Sequence, residues 1–111
     1  MTNNNKQFTR KNCKFTKKDF DTNIGMLTYI WGPTMWTFLH TMSFNYPIKP
    51  TLNDQKYYKE FILCLQTVLP CSHCRNNLIK HIEKFPLTNN VMKNRTSFSK
   101  YIYNLHELVN K

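Results

Sequence analysis

Proline removes a backbone donor and pushes the residue before it out of the helical region. Tyr46-Pro47, Lys49-Pro50, Leu69-Pro70 and Phe85-Pro86 therefore bound any helix in this chain. Between these steps, apolar residues recur at helical spacing. The first segment runs from Trp31 to Tyr46 with Met35, Trp36, Leu39, Met42 and Phe44, and Pro33 falls in a first turn that tolerates it. The second opens near Asn53 or Asp54, either of which suits a cap, and carries Tyr57, Tyr58, Phe61, Ile62, Leu65, Val68 and Leu69 on a broad stripe. The third begins at Cys71 with Cys74, Leu78, Ile79 and Ile82, and a polar connection, Leu87 to Asn94, follows it. The fourth, Ser97 to Lys111, sets Phe98, Tyr101, Ile102, Leu105, Leu108 and Val109 on one face. No segment alternates with a period of two for long enough to make a strand. The pattern predicts an all-α bundle.

A chain of 111 residues holds one modest core, and at 41% hydrophobic and 14% aromatic residues it is too apolar to be disordered throughout. Its formal charge of +10 is uneven: residues 1–18 hold Lys6, Arg10, Lys11, Lys14, Lys17 and Lys18 and no acid. Residues 1–30 are read as a basic, flexible arm and 31–111 as the folded domain. Contact of the arm with nucleic acid is unspecific and not expected. No apolar h-region opens the chain, which argues against a secretory signal. Residues 22–48 lack Lys, Arg, Asp and Glu, but Gly32-Pro33 and the interleaved Thr, Ser, Asn and His make them a poor membrane span.

Pro70-Cys71-Ser72-His73-Cys74 is the sharpest local signal. Two cysteines three apart on the first turn of a helix lie on one side, close enough for a reducible disulfide. The unpaired N–H groups and positive end of the helix stabilise a thiolate there, and His73 adds further cationic help. A CxxC alone stays ambiguous between redox chemistry, zinc and incidental cysteines. For zinc, His81 and His106 would complete four ligands, giving a small zinc-stabilised, nucleic-acid-binding module as the alternative function. Cys64 lies on the second stripe and reads as a buried structural thiol. Cys13 sits alone in the arm, where a shuttle or an intersubunit bridge is its possible use.

Trp36 and His40 stand four apart on one helix face, an aromatic slab beside an imidazole that suits a large flat ligand. His106 and Asn110 stand likewise on the last helix. Taken in order, W-G-P-x-x-W-x-x-L-H (Trp31 to His40), Tyr46-Pro47, Pro70 to Cys74, and His106 with Val109-Asn110 resemble the Erv/ALR family of FAD-linked sulfhydryl oxidases. The opening W-G-P, Leu69-Pro70-Cys71 and Pro86-Leu87-Thr88 look most like the short forms of large cytoplasmic DNA viruses.

The resemblance implies an up-and-down four-helix bundle enclosing FAD, and a homodimer built on the early helices. It implies a thiol oxidase that forms disulfides in a protein dithiol or thioredoxin-like substrate and reduces O2 to H2O2. Carried onto this chain, Cys74 is the flavin-side thiol and Cys71 the one that exchanges with substrate. Gly32, Trp36, His40, Tyr46, His106, Val109 and Asn110 are the expected FAD contacts. Three features depart from the family: Pro33 stands where many relatives carry Arg, Glu107 replaces the usual Asn, and the family's fifth helix is expected to be missing after Lys111.

Overall fold

The structure, a computed structural model, describes residues 28–110. They form helix α1 (Thr28–Phe44), α2 (Leu52–Val68), α3 (Ser72–Lys84), a 3-10 turn (Val91–Lys93) and α4 (Arg95–Asn110), with no β-strand among the described residues. Helix α1 packs on α4, α2 on α3, and α3 on α4, while the 3-10 turn packs on α2 and α4. Short links make neighbours antiparallel, and side chains confirm the sense. Thr28 at the start of α1, Leu69 after α2, Cys74 at the start of α3 and Val109 at the end of α4 line one cavity. The bundle is therefore up-and-down, with that cavity at one end.

Its core is Leu39 of α1, Ile62 and Leu65 of α2, Leu78 and Ile82 of α3, and Phe98, Tyr101, Ile102 and Leu105 of α4, closed by Tyr46, Leu69, Leu87 and Met92. At the far end Tyr46 is sealed between α2 and α4, its ring 4.7 Å from those of Tyr58 and Phe98. Its hydroxyl donates to the Met92 carbonyl at 2.6 Å, and the Tyr46 carbonyl accepts from Arg95 Nε at 2.6 Å. Tyr101 likewise donates to the Phe85 carbonyl at 2.7 Å. Burial pushes both phenols up to about 12, for Tyr46 with Asp54 and Tyr58 adding to the effect, so both stay neutral donors.

The helix ends differ from the expected ones. Helix α1 starts three residues early because nothing in Thr28-Tyr29-Ile30 breaks a helix, and Pro33 consequently lies inside it. Helix α2 is capped by Thr51 rather than Asn53 or Asp54. Asp54 N–H donates to Thr51 Oγ1 at 3.0 Å and Thr51 N–H to Asp54 Oδ2 at 2.9 Å, a reciprocal capping box. Helix α4 starts at Arg95 because Asn94 Oδ1 accepts from Ser97 N–H at 2.8 Å, while Ser97 Oγ donates to the Val91 carbonyl at 2.6 Å.

Cys64 is exposed, not buried as expected. The apolar stripe of α2 is wider than the groove receiving it: Ile62, Leu65 and Leu69 go inward, whereas Tyr57, Phe61 and Val68 stay outside with Cys64. Cys13 lies outside the described residues. No described helix is long and apolar enough to cross a membrane.

Candidate active site

Cys71 ends the three-residue link after α2 and is the N-cap of α3, with extended φ −162° and ψ 118°. Its sulfur accepts the Cys74 N–H at 3.2 Å, one of the orphan amides of the first turn. The two sulfurs are joined as a disulfide across a Cα–Cα distance of 5.2 Å. Leu69 O holds this link in shape: it accepts the Cys71 N–H at 2.8 Å and Arg75 Nη1 at 2.6 Å. The first turn of α3 contains no acid, so the positive helix end acts unopposed on the pair.

The two sulfurs are not equally accessible. Cys71, the expected partner of substrate, is 1% exposed, because capping its own helix turns its side chain inward. Cys74 is half-buried and opens into an apolar cavity of about 110 Å³ whose walls include Trp31, Met35 and Trp36 of α1 and Leu105 and Val109 of α4.

A second, wider cleft of about 540 Å³ runs between α1 and α4 and is lined by Gly32, Trp36, His40, His106, Val109 and Asn110. The two clefts share Thr28, Gly32, Trp36 and Val109, so together they run from the disulfide to the end of α4. Trp36 and His106 stack with centroids 4.1 Å apart and an interplanar angle of 7°. His40 Nε2 and His106 Nδ1 stand 2.9 Å apart, a pairing in which one ring donates and the other accepts. Burial lowers the affinity of His106 for a second proton; the neighbouring His40 adds to this and Glu107 opposes it.

Six of the seven expected ligand contacts thus meet in one groove. Tyr46 does not line it; its buried ring and hydroxyl serve the core instead. Thr28, Met35, Asn77, His81 and Leu105 line the groove unannounced by any motif. His106, considered above as a zinc partner of the CxxC, is engaged with His40 and Trp36, and no cluster of three metal-ligating side chains occurs among the described residues.

Comparison with known proteins gives one consistent answer. The family model described as Erv1 / Alr family matches residues 33–111. The probable FAD-linked sulfhydryl oxidase of Acanthamoeba polyphaga mimivirus is 40% identical over 80 residues, which are 72% of this chain and 56% of that protein. The FAD-linked sulfhydryl oxidase ERV1 of Arabidopsis thaliana is 31% identical over 72% of this chain and 40% of its own length. An African swine fever virus FAD-linked sulfhydryl oxidase is 31% identical over 73% and 66%. The chain therefore spans only part of each relative. Among solved structures, that of a cysteine-to-serine mutant of Erv1 from Saccharomyces cerevisiae superposes with a TM-score of 0.72 at 19% identity, covering 92% of this chain and 78% of that one. At that identity the likeness speaks for the fold.

Proposed function

The chain belongs to the Erv1 / Alr family, and on that premise we propose that it is an FAD-dependent thiol oxidase working through Cys71 and Cys74. The observation that carries the proposal is the single groove that joins the disulfide to the Trp36, His40 and His106 rings. The residues suit FAD: a flat aromatic and imidazole wall for ring systems, polar Asn110 at the groove's far end, and Gly32 without a side chain where its two parts meet. Bound there, FAD supplies a two-electron acceptor that O2 can reoxidise, with H2O2 as the product.

This chain's own residues do the thiol chemistry. A substrate thiolate bonds to Cys71 Sγ, and Cys74 leaves as a thiolate facing the groove. A second substrate thiolate then displaces Cys71, releasing an oxidised substrate and leaving the pair reduced, as two thiolates. The N-terminus of α3 stabilises both thiolates. Because Cys71 is buried in the oxidised protein, its cover must open before a protein dithiol can reach it. Trp36, His40, His106, Val109 and Asn110 bind and orient the flavin, and the apolar cavity walls keep water from the Cys74 side.

The same reading makes the protein a homodimer. Phe38 of α1 is 56% exposed and meets Phe61 of α2 edge-on at 6.1 Å, and Tyr57 and Val68 extend this apolar face. Contiguous apolar surface of this kind marks a contact surface.

The test is reconstitution of the full chain with FAD, removal of free flavin, and assay with a dithiol. A yellow protein that makes peroxide is expected. A colourless chain that instead binds zinc stoichiometrically would replace this reading with the nucleic-acid-binding alternative.

A further inference from the structure

Each sulfur of the pair has a hydrogen bond of its own. Cys71 Sγ accepts the Cys74 amide, and Cys74 Sγ lies 3.6 Å from Thr28 Oγ1. A disulfide sulfur carries no hydrogen, so the hydroxyl is the donor. Thr28 lies outside residues 33–111, the span matched by the family model, and belongs to none of the sequence motifs. Resting on the thiol-oxidase reading, we propose that Thr28 is a catalytic residue: its hydroxyl donates to Cys74 Sγ and stabilises the thiolate that leaves when the disulfide opens.

Gly32 holds the device in place. It stands one turn after Thr28, and a Cβ there would lie 3.3 Å from Thr28 Cγ2. Threonine is stiff at χ1, so its methyl and hydroxyl move together, and a methyl at Gly32 displaces both by a few tenths of an ångström, enough to weaken a contact that is already 3.6 Å long. Glycine at position 32 thus serves Cys74 through Thr28.

The step balances. Substrate thiolate forms a bond to Cys71 Sγ, the Cys71–Cys74 bond breaks, and its electron pair departs on Cys74 Sγ; no proton is consumed. A leaving thiol of lower pKa leaves faster. Few other groups compete for influence on Cys74. His81 on α3 lines its cavity, His73 is bonded to Asn77, and Arg75 spends its guanidinium on Leu69 O. From α1, α2 and α4 that cavity receives no titratable side chain.

The test needs no flavin. In full-length Cys71→Ser protein, alkylation of Cys74 followed peptide by peptide across pH reads its thiolate fraction. Adding Thr28→Val should lower that fraction at neutral pH by roughly three- to tenfold, the effect of one hydrogen bond. Thr28→Ser should restore it, and Gly32→Ala should shift it in the same direction as Thr28→Val but by less. In protein with both cysteines, Thr28→Val should slow reduction of the pair by dithiothreitol. If Thr28→Val does not fold, Thr28→Ala carries the same test. An unchanged Cys74 profile in the folded variant overturns the proposal, whereas a chain that fails to bind FAD counts against the oxidase reading alone.

Discussion

Between His40 and His106 a proton bridges two ring nitrogens 2.9 Å apart, and burial keeps His106 neutral to lower pH than an ordinary imidazole. A histidine whose folded pKa is depressed binds fewer protons in the folded than in the unfolded state. Its contribution to stability is therefore present above the ordinary imidazole value and is lost as pH falls through the folded one. Melting temperature followed from pH 8 to pH 5 should drop more steeply in the wild type than in His106→Gln; parallel curves would show that His106 carries none of the pH dependence. Trp36, His40 and His106 were legible because i,i+4 spacing and motif order are local facts. Tyr46 was not, since its burial depends on Phe98 and Met92, which only the folded chain brings to it. Tyr46→Phe should cost about 1–3 kcal/mol in chemical denaturation, because the buried Met92 carbonyl then lacks a donor. A loss well below that would mean that water replaces the hydroxyl. Thr28, one threonine in an uncharged run, gave no sequence signal at all.

Helix boundaries followed the prolines except at Pro33, which lies inside α1. Helix α2 stops at Leu69-Pro70 and α3 at Phe85-Pro86, as the backbone of the residue before proline requires. Where no proline acts, caps decide, and a cap is a three-residue relation easily misplaced by two. Thr51-x-x-Asp54 was readable as a box, yet Asn53 and Asp54 are equally cap-like taken singly. Thr51→Ala should destabilise the protein by about 1 kcal/mol in denaturant titration, whereas Asn53→Ala, two positions inside the cap, should be nearly neutral. The reverse order would return the cap to Asn53. The width of a stripe was legible too, but not which edge of it turns inward. Cys64 shares its exposed edge with Phe61 and Val68, and only packing on α3 decides that Ile62 and Leu65 take the core.

At the scale of the molecule, antiparallel packing brings the start of α1, the end of α2, the start of α3 and the end of α4 to one end, which is where the groove lies. The residues that line it are spread from Thr28 to Asn110, so no helix builds it alone. The α1–α2 face with Phe38, Phe61 and Val68 should pair two copies through packing, and the pairing should survive excess reductant. Light scattering with dithiothreitol present should give twice the chain mass. A monomer there would leave that face without its proposed partner, and Phe38→Asp should convert the dimer to monomer if the face is the interface. The thiol-to-flavin route is tested most directly by anaerobic titration of FAD-loaded protein with a dithiol, following the visible flavin band. The band should bleach in the wild type and in Cys64→Ser, and should persist in Cys71→Ser and Cys74→Ser at equal flavin content. Bleaching at the wild-type rate in either of the last two would contradict electron entry through the Cys71–Cys74 pair.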